Sequence, residues 1–216
     1  MFEKIKNFFN KKQIIDNNKE EYDSSELDDM LDSIQDSVLT IDYDTYPNPE
    51  VIDNNSDKTI LFLDDIDNMW YLYNLDLDKI KEKYGHDVKK EFNIIKCFGE
   101  TAGFIAHKFI FKNYKKVDFA ILDITLGYGV KLKNSDYVEY DGIDVFLKLY
   151  EKNPDMKFIF CTAHTLNIKN PTVGYFFNKF EKSTGLKFKD YYVSKNSDRY
   201  KSIYKLLYGE DSTTNI

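Results

Sequence analysis

From Lys58 onward the chain alternates short, continuous apolar runs with longer segments whose apolar residues recur every three or four positions. TILFL, starting at Thr59, has strand length and polar flanks, and NMWYLYNLDLDKIKEKY after it has helical spacing. The same reading predicts a second strand in FNIIKCF, a second helix over Thr101 to Tyr114 and a third strand in VDFAIL. A third helix in GIDVFLKLYEK, strands in KFIFCTA and YYVS, and a closing helix in SDRYKSIYKLLY follow. LGYGVKLKNSDYVEY, between the third strand and the third helix, is expected to be mostly loop. The long stretch from Thr162 to Lys195 receives no helix. Strands that are apolar throughout are covered on both faces, and their alternation with helices predicts an α/β fold: a doubly wound, five-stranded parallel sheet over residues 58–209. Residues 210–216 are expected to be a disordered tail.

The first 57 residues follow a different pattern and are expected to form a mostly helical or disordered extension. Phe2, Ile5, Phe8 and Phe9 share one helical face ringed by Lys4, Lys6, Lys11 and Lys12, which suits a membrane surface or a partner; packing on the protein itself is the simpler reading. Leu27, Met30, Leu31, Ile34 and Val38 recur at helical spacing behind a capping Ser25, with Asp28 three residues on. Pro47, Pro49 and the Asn/Asp/Ser run up to Asp57 read as a linker. Charge separates the same way. Residues 1 to 19 carry five lysines against two acids, and residues 20 to 57 carry thirteen acids and no base. The net charge of −7 therefore belongs to the extension, an acidic docking or regulatory arm, and says little about the ligand of the domain.

Composition narrows the classes. A length of 216 residues, 42% of them apolar, is enough for one domain with a real core. Arg199 is the only arginine, and the aromatics sit in apolar segments instead of among clustered lysines, so no nucleic-acid readout is expected. Cys97 and Cys161 fall in predicted strands with no CxxC or CxxH neighbour, which fits a reduced, cytoplasmic protein. His86, His107 and His164 lack the spacing of a zinc site. No apolar run approaches membrane-spanning length, and the N-terminus lacks the apolar core of a signal peptide.

In an open parallel sheet ligands gather beyond the carboxyl ends of the strands, so the residue that follows each apolar run matters most. Those residues are Asp64 and Asp65, then Asp123, then Thr162 with Ala163, then Lys195. Singly, each has an ordinary role as a cap, turn or solvated charge. Together they form a set. Three carboxylates at one edge repel one another unless a hard cation sits among them, and oxygen donors of this kind suit Mg²⁺. Asp123 is then a carboxylate nucleophile able to form an acyl phosphate, with the Thr162 hydroxyl and Lys195 ammonium supplying donors to the phosphoryl oxygens.

The same residues resemble those of the receiver domains of two-component response regulators. FLDDID resembles their first-strand acidic pair, AILD their phosphoacceptor strand, DGIDVFLKL the Asp-Gly start of their third helix, FCTAH their switch-hydroxyl strand and YVSK their fifth-strand lysine. The resemblance spans roughly residues 58 to 208. It implies a flavodoxin-like fold, Mg²⁺ held by Asp64, Asp65, Asp123 and the backbone near Thr125, phosphorylation of Asp123, and sensing of the phosphate by Thr162 and Lys195. Tyr192 resembles the aromatic that such domains use as a rotameric switch. The implied partners are a histidine kinase or phosphotransfer protein, a downstream protein and a second copy in a homodimer. Catalysis would be limited to self-phosphorylation and self-dephosphorylation.

The sequence also departs from that pattern. The connection from Asp123 to Asp141 is long, Thr125-Leu126-Gly127 replaces the usual Met-Pro pair, and Asn196 stands where a proline follows the lysine. A degenerate receiver that binds partners without phosphorylation is one alternative. A haloacid-dehalogenase-type phosphatase, resembled by Asp65-x-Asp67 and FIFCT, lacks its late acidic pair and leaves Asp123 without a role. A cyclic-phosphate-processing relative, resembled by Leu122 to Gly127 and by His164, lacks the expected His-Asp pair.

Overall fold

Asp64 owes its position to β3, Thr59–Asp64, a strand buried along its whole length because it lies at the centre of a sheet covered on both sides. The computed structural model describes residues 40–41, 48–113, 117–126, 130–132, 137–138, 140–163, 171–195 and 198–209. The short strands β1, Thr40–Ile41, and β2, Glu50–Ile52, precede β3. Helix α1, Met69–Tyr84, and the single turn α2, Val88–Glu91, lead to β4, Asn93–Phe98. Helix α3, Ala102–Asn113, leads to β5, Phe119–Leu122. The strands β6, Val130–Leu132, and β7, Tyr137–Val138, precede α4, Gly142–Lys152, and β8, Lys157–Thr162. Helix α5, Pro171–Thr184, a 3₁₀ turn at Phe188–Asp190, β9, Tyr192–Ser194, and α6, Arg199–Tyr208, complete the order.

The main sheet runs β2-β4-β3-β5-β8-β9. Five of these strands, β4-β3-β5-β8-β9, are mutually parallel, as the sequence predicts. This is the doubly wound, flavodoxin-like order, in which the chain turns one way from β3 to reach β4 and then crosses to the other side for β5. The sheet has a sixth strand as well. β2 lies in the stretch read as linker and pairs antiparallel with β4, Val51 opposite Ile95. Three residues at an edge give too short an apolar pattern to stand out, and pairing supplies what propensity lacks.

Alternation along the strands sorts the core into two layers. Ile60 and Phe62 of β3, Phe119 and Ile121 of β5, and Ile159 and Cys161 of β8 face Tyr73, Leu77 and Ile80 of α1 and Ile203 and Leu207 of α6. Leu61, Leu63, Ala120, Leu122, Phe158 and Phe160 face α3, α4 and α5. Arg199, at the start of α6, bonds Asp76 of α1 at 2.8 Å, with both side chains under 10% exposed. The turn α2 and the helix α5 were not expected. α5 buries Phe177 and Phe180 one turn apart, and Phe188 stacks on Phe177 and Phe160 at 4.3 and 5.1 Å. Its other turns carry Tyr175, Asn178 and Lys182, which dilute the apolar stripe.

The stretch expected to be mostly loop contains β6 and β7, paired antiparallel, and β1 joins β6 in parallel register, Thr40 opposite Lys131. The two helices read within residues 1–38, the tail 210–216, His164 and Asn196 lie outside the described residues.

Asp141 caps α4 through a reciprocal capping box with Asp144, and the helix begins pressed against the end of β5. A side-chain carbon on Gly142 would sit 1.7 Å from the Asp123 carbonyl oxygen, an approach only glycine allows. Gly142→Ala is expected to cost about 3 kcal/mol or more, because the atom it meets is backbone and cannot swing aside; chemical denaturation of the two proteins measures it.

Candidate functional site

The carboxyl ends of β3, β5, β8 and β9 lie side by side, and each delivers a polar side chain. Asp64 is the last residue of β3 and has no exposed surface; Asp123 follows β5 and is 5% exposed; Thr162 ends β8 and is 1% exposed. Lys195 follows β9 and turns inward. Its ammonium lies 2.7 Å from Asp64 Oδ2 and 2.6 Å from Asp123 Oδ2, and its own backbone amide donates to the Thr162 carbonyl at 2.9 Å. Asp65, half-buried, completes an acidic group: one oxygen from each of Asp64, Asp65 and Asp123 lies within 4.8 Å of the others.

Backbone donors fix the carboxylates. The Ile66 amide donates to Asp64 Oδ1 at 3.2 Å, and the Ile124 amide donates to Asp123 Oδ1 at 2.7 Å. The Asp123 amide donates to the Leu63 carbonyl at 2.8 Å, which locks β5 to β3 at the point where both acids emerge. The Tyr73 hydroxyl, wholly buried, approaches Asp64 Oδ2 to 3.5 Å.

Burial pushes the Asp64 carboxyl up to about 6; the charge of Asp123 adds to the rise, and Lys195 opposes it. Burial pulls the Lys195 ammonium down, but the charges of Asp123 and Asp64 outweigh it and leave the group above its ordinary value. The pocket thus holds a firmly protonated lysine and more carboxylate than one lysine neutralises.

Asp64, Asp65, Asp123, Thr162 and Lys195, all singled out in the sequence, therefore come together at one edge. Thr125 is exposed just beyond them, and Tyr192 is half-buried in β9 opposite Phe160. Asp67, which the phosphatase alternative needs, is exposed and outside the acidic group, whereas Asp123 is central to it. Sequence reasoning missed Tyr73, which lies on the inward stripe of α1 like any core aromatic. It also missed Lys179 of α5, which bonds Asp141 and Asp144 at the start of α4, because α5 itself was not recognised.

The carboxylate oxygens are the hard donors a divalent cation of the Mg²⁺ type takes, and their separation fits joint ligation. Asp64, Asp65 and Asp123 are the residues that would hold it.

No protein-family model and no curated protein matches the chain. The solved structures it is similar to include receiver domains of response regulators. The BeF3-activated DrrB receiver domain is 17% identical, with 69% of this chain and 97% of that one covered and a TM-score of 0.39. A CheY-like receiver domain protein of Methanospirillum hungatei is 20% identical over 67% and 86%, with a TM-score of 0.38. The response regulator TrrA of Thermotoga maritima, solved with Mg²⁺-BeF, is 22% identical over 69% and 99%, with a TM-score of 0.40. These likenesses are of fold, at low identity. Among the described residues no helix is long and apolar enough to cross a membrane.

The raised Asp64 carboxyl has a measurable sign. In the metal-free protein the folded state keeps this proton to about pH 6, whereas the unfolded chain releases it near 3.8, so its ionisation costs stability as pH rises between those values. Asp64→Asn lacks this dependence. Its stability relative to the native protein is expected to climb from pH 4 to 6 by about 3 kcal/mol at most and then level off, as urea melts without divalent cations across that range would measure.

Proposed function

We propose that this chain is a receiver-like phosphoacceptor, with Asp123 as the residue that takes the phosphoryl group. The observation that carries this reading is the convergence of Asp64, Asp65 and Asp123 within 4.8 Å, with Lys195 bridging two of them. A merely structural cluster has little reason to gather three acids, two of them buried against one lysine, at the carboxyl ends of neighbouring parallel strands.

The chemistry follows from the placement of atoms. A carboxylate oxygen of Asp123 attacks the phosphorus of a phosphorylated donor, the bond from phosphorus to the donor breaks, and its electron pair leaves with the donor. Oδ1 is held by the Ile124 amide, and Oδ2, ion-paired with Lys195, is assigned the attack. Lys195 then transfers its contact from Oδ2 to a phosphoryl oxygen, and the Thr162 hydroxyl donates to another. Bound Mg²⁺ would offset the negative charge that accumulates as the phosphoryl group arrives among three carboxylates. Movement of Thr162 and Lys195 toward the phosphate pulls on the ends of β8 and β9, and so on the surface built from α5, β9 and α6. That surface is the proposed site of the switched protein contact, with a histidine kinase or phosphotransfer protein as donor.

A second reading has its own support. Because Lys195 already ion-pairs with both Asp64 and Asp123, the same pocket can hold together in a binding module that is never phosphorylated.

Intact-mass measurement after incubation with a small-molecule phosphodonor separates the two. The native protein is expected to gain one phosphoryl group only when Mg²⁺ is present, and Asp123→Asn none. Lys195→Met is expected to slow the gain by about 100-fold, the scale on which loss of a charge-stabilising donor acts. A folded native protein that binds Mg²⁺ yet gains no mass would favour the binding module.

A further inference from the structure

The phosphoacceptor loop is clamped from outside the pocket by a lysine with no place in the site described so far. Lys179 of α5 puts its ammonium 2.7 Å from Asp141 Oδ2 and 2.7 Å from Asp144 Oδ1. Both acids are already engaged in capping α4. Asp141 Oδ1 accepts from the amides of Ile143 and Asp144, each at 2.9 Å, and Asp144 Oδ2 accepts from the Asp141 amide at 3.2 Å. Each carboxylate thus gives one oxygen to the cap and the other to Lys179, and a single ammonium offsets two acids that would otherwise face each other one turn apart. The three side chains are only 16 to 33% exposed, so water screens the pairs incompletely.

The cap leads straight to the site. The Gly142 amide donates to the Ile124 carbonyl at 2.8 Å, the Gly142 backbone abuts the Asp123 carbonyl, and the Ile124 amide holds Asp123 Oδ1 at 2.7 Å. From Lys179 to Asp123 every link is a hydrogen bond, an ion pair or a direct backbone contact. A displacement of the α4 cap is therefore a displacement of the peptide that orients the Asp123 carboxylate.

We infer that Lys179 is a positioning residue for Asp123, holding the start of α4 so that the Ile124 peptide aims the phosphoacceptor carboxylate at the cation and the incoming phosphoryl group. It also makes α5 a mechanical part of the site, since any partner that shifts α5 loosens the loop. The metal-dependent part of the inference rests on the phosphoacceptor reading of Asp123, and the structural part stands without it.

The test compares full-length native protein with Lys179→Met, Lys179→Arg and Asp144→Asn, which keeps a capping side chain but removes one arm of the ion pair. Amide hydrogen exchange at Ile124 and Gly142 reads the clamp without any phosphodonor. Exchange there is expected to accelerate in Lys179→Met, to accelerate less in Asp144→Asn, and to return toward native in Lys179→Arg, with the midpoint of global unfolding little changed. The Mg²⁺ concentration for half-maximal phosphoryl gain is expected to rise about tenfold in Lys179→Met, the low end of what losing an outer support of a metal ligand costs, and to be restored by arginine. Faster exchange with an unchanged Mg²⁺ requirement would overturn the positioning role, and unchanged exchange at both amides would overturn the clamp itself. If the native protein gains no phosphoryl group, the phosphoacceptor reading falls while the exchange measurement still decides whether Lys179 holds the loop. If Lys179→Met does not fold, Lys179→Arg and Asp144→Asn carry the same comparison.

Discussion

The ammonium of Lys195 sits between Asp64 and Asp123, at 2.7 and 2.6 Å, in a place where water reaches none of the three freely. Buried carboxylates are costly, and removing one partner of such a group leaves an uncompensated charge that typically costs about 3–5 kcal/mol. A chain that only needed a stable core would fill this space with apolar side chains. What the arrangement provides instead is a concentrated, partly neutralised group of charges at one edge of the sheet.

That placement follows from strand order. β3 lies between β4 and β5, so Asp64 and Asp123 leave adjacent parallel strands at the same level, and β8 and β9 continue the row to Thr162 and Lys195. Two further ties hold this edge. Arg199, four residues after Lys195, is anchored in a buried pair with Asp76, which fixes the start of α6 against α1. On the opposite face, Gly142 lets α4 begin in contact with the Asp123 backbone, and Lys179 joins that start to α5. Helices on both faces of the sheet are thus fastened close to the acidic group by charged or close-packed contacts.

Much of this was legible in the sequence because each central strand ends abruptly. ILFL, FAIL and FIFC are uniformly apolar and stop at Asp64, Asp123 and Thr162, so composition marks both the strand and the residue delivered at its end. The parts that stayed hidden are those in which tertiary contact decides. β2 is three residues at an edge, defined by pairing with β4 more than by its own pattern. β6 and β7 are equally short, and pair with each other and with β1. α5 carries its core contacts on Phe177 and Phe180, among polar neighbours that blur the period. Lys179 looks like any surface lysine until α5 is laid beside the cap of α4, and the long connection from Asp123 to Asp141 concealed how near those residues are in space. Tyr73 was legible as core but not as a neighbour of Asp64, since that proximity depends on how α1 crosses β3.

The central claim is that the three aspartates form one cation site whose charge Lys195 only partly offsets. Calorimetric titration of the metal-free protein with Mg²⁺ at neutral pH tests it most directly, comparing native protein with Asp65→Asn, which removes one of the three carboxylates and keeps the Lys195 pairs with Asp64 and Asp123. One saturable site in the native protein, weakened at least tenfold by that substitution, is the expected result. Absence of saturable binding, or binding of equal strength in both proteins, would contradict the claim.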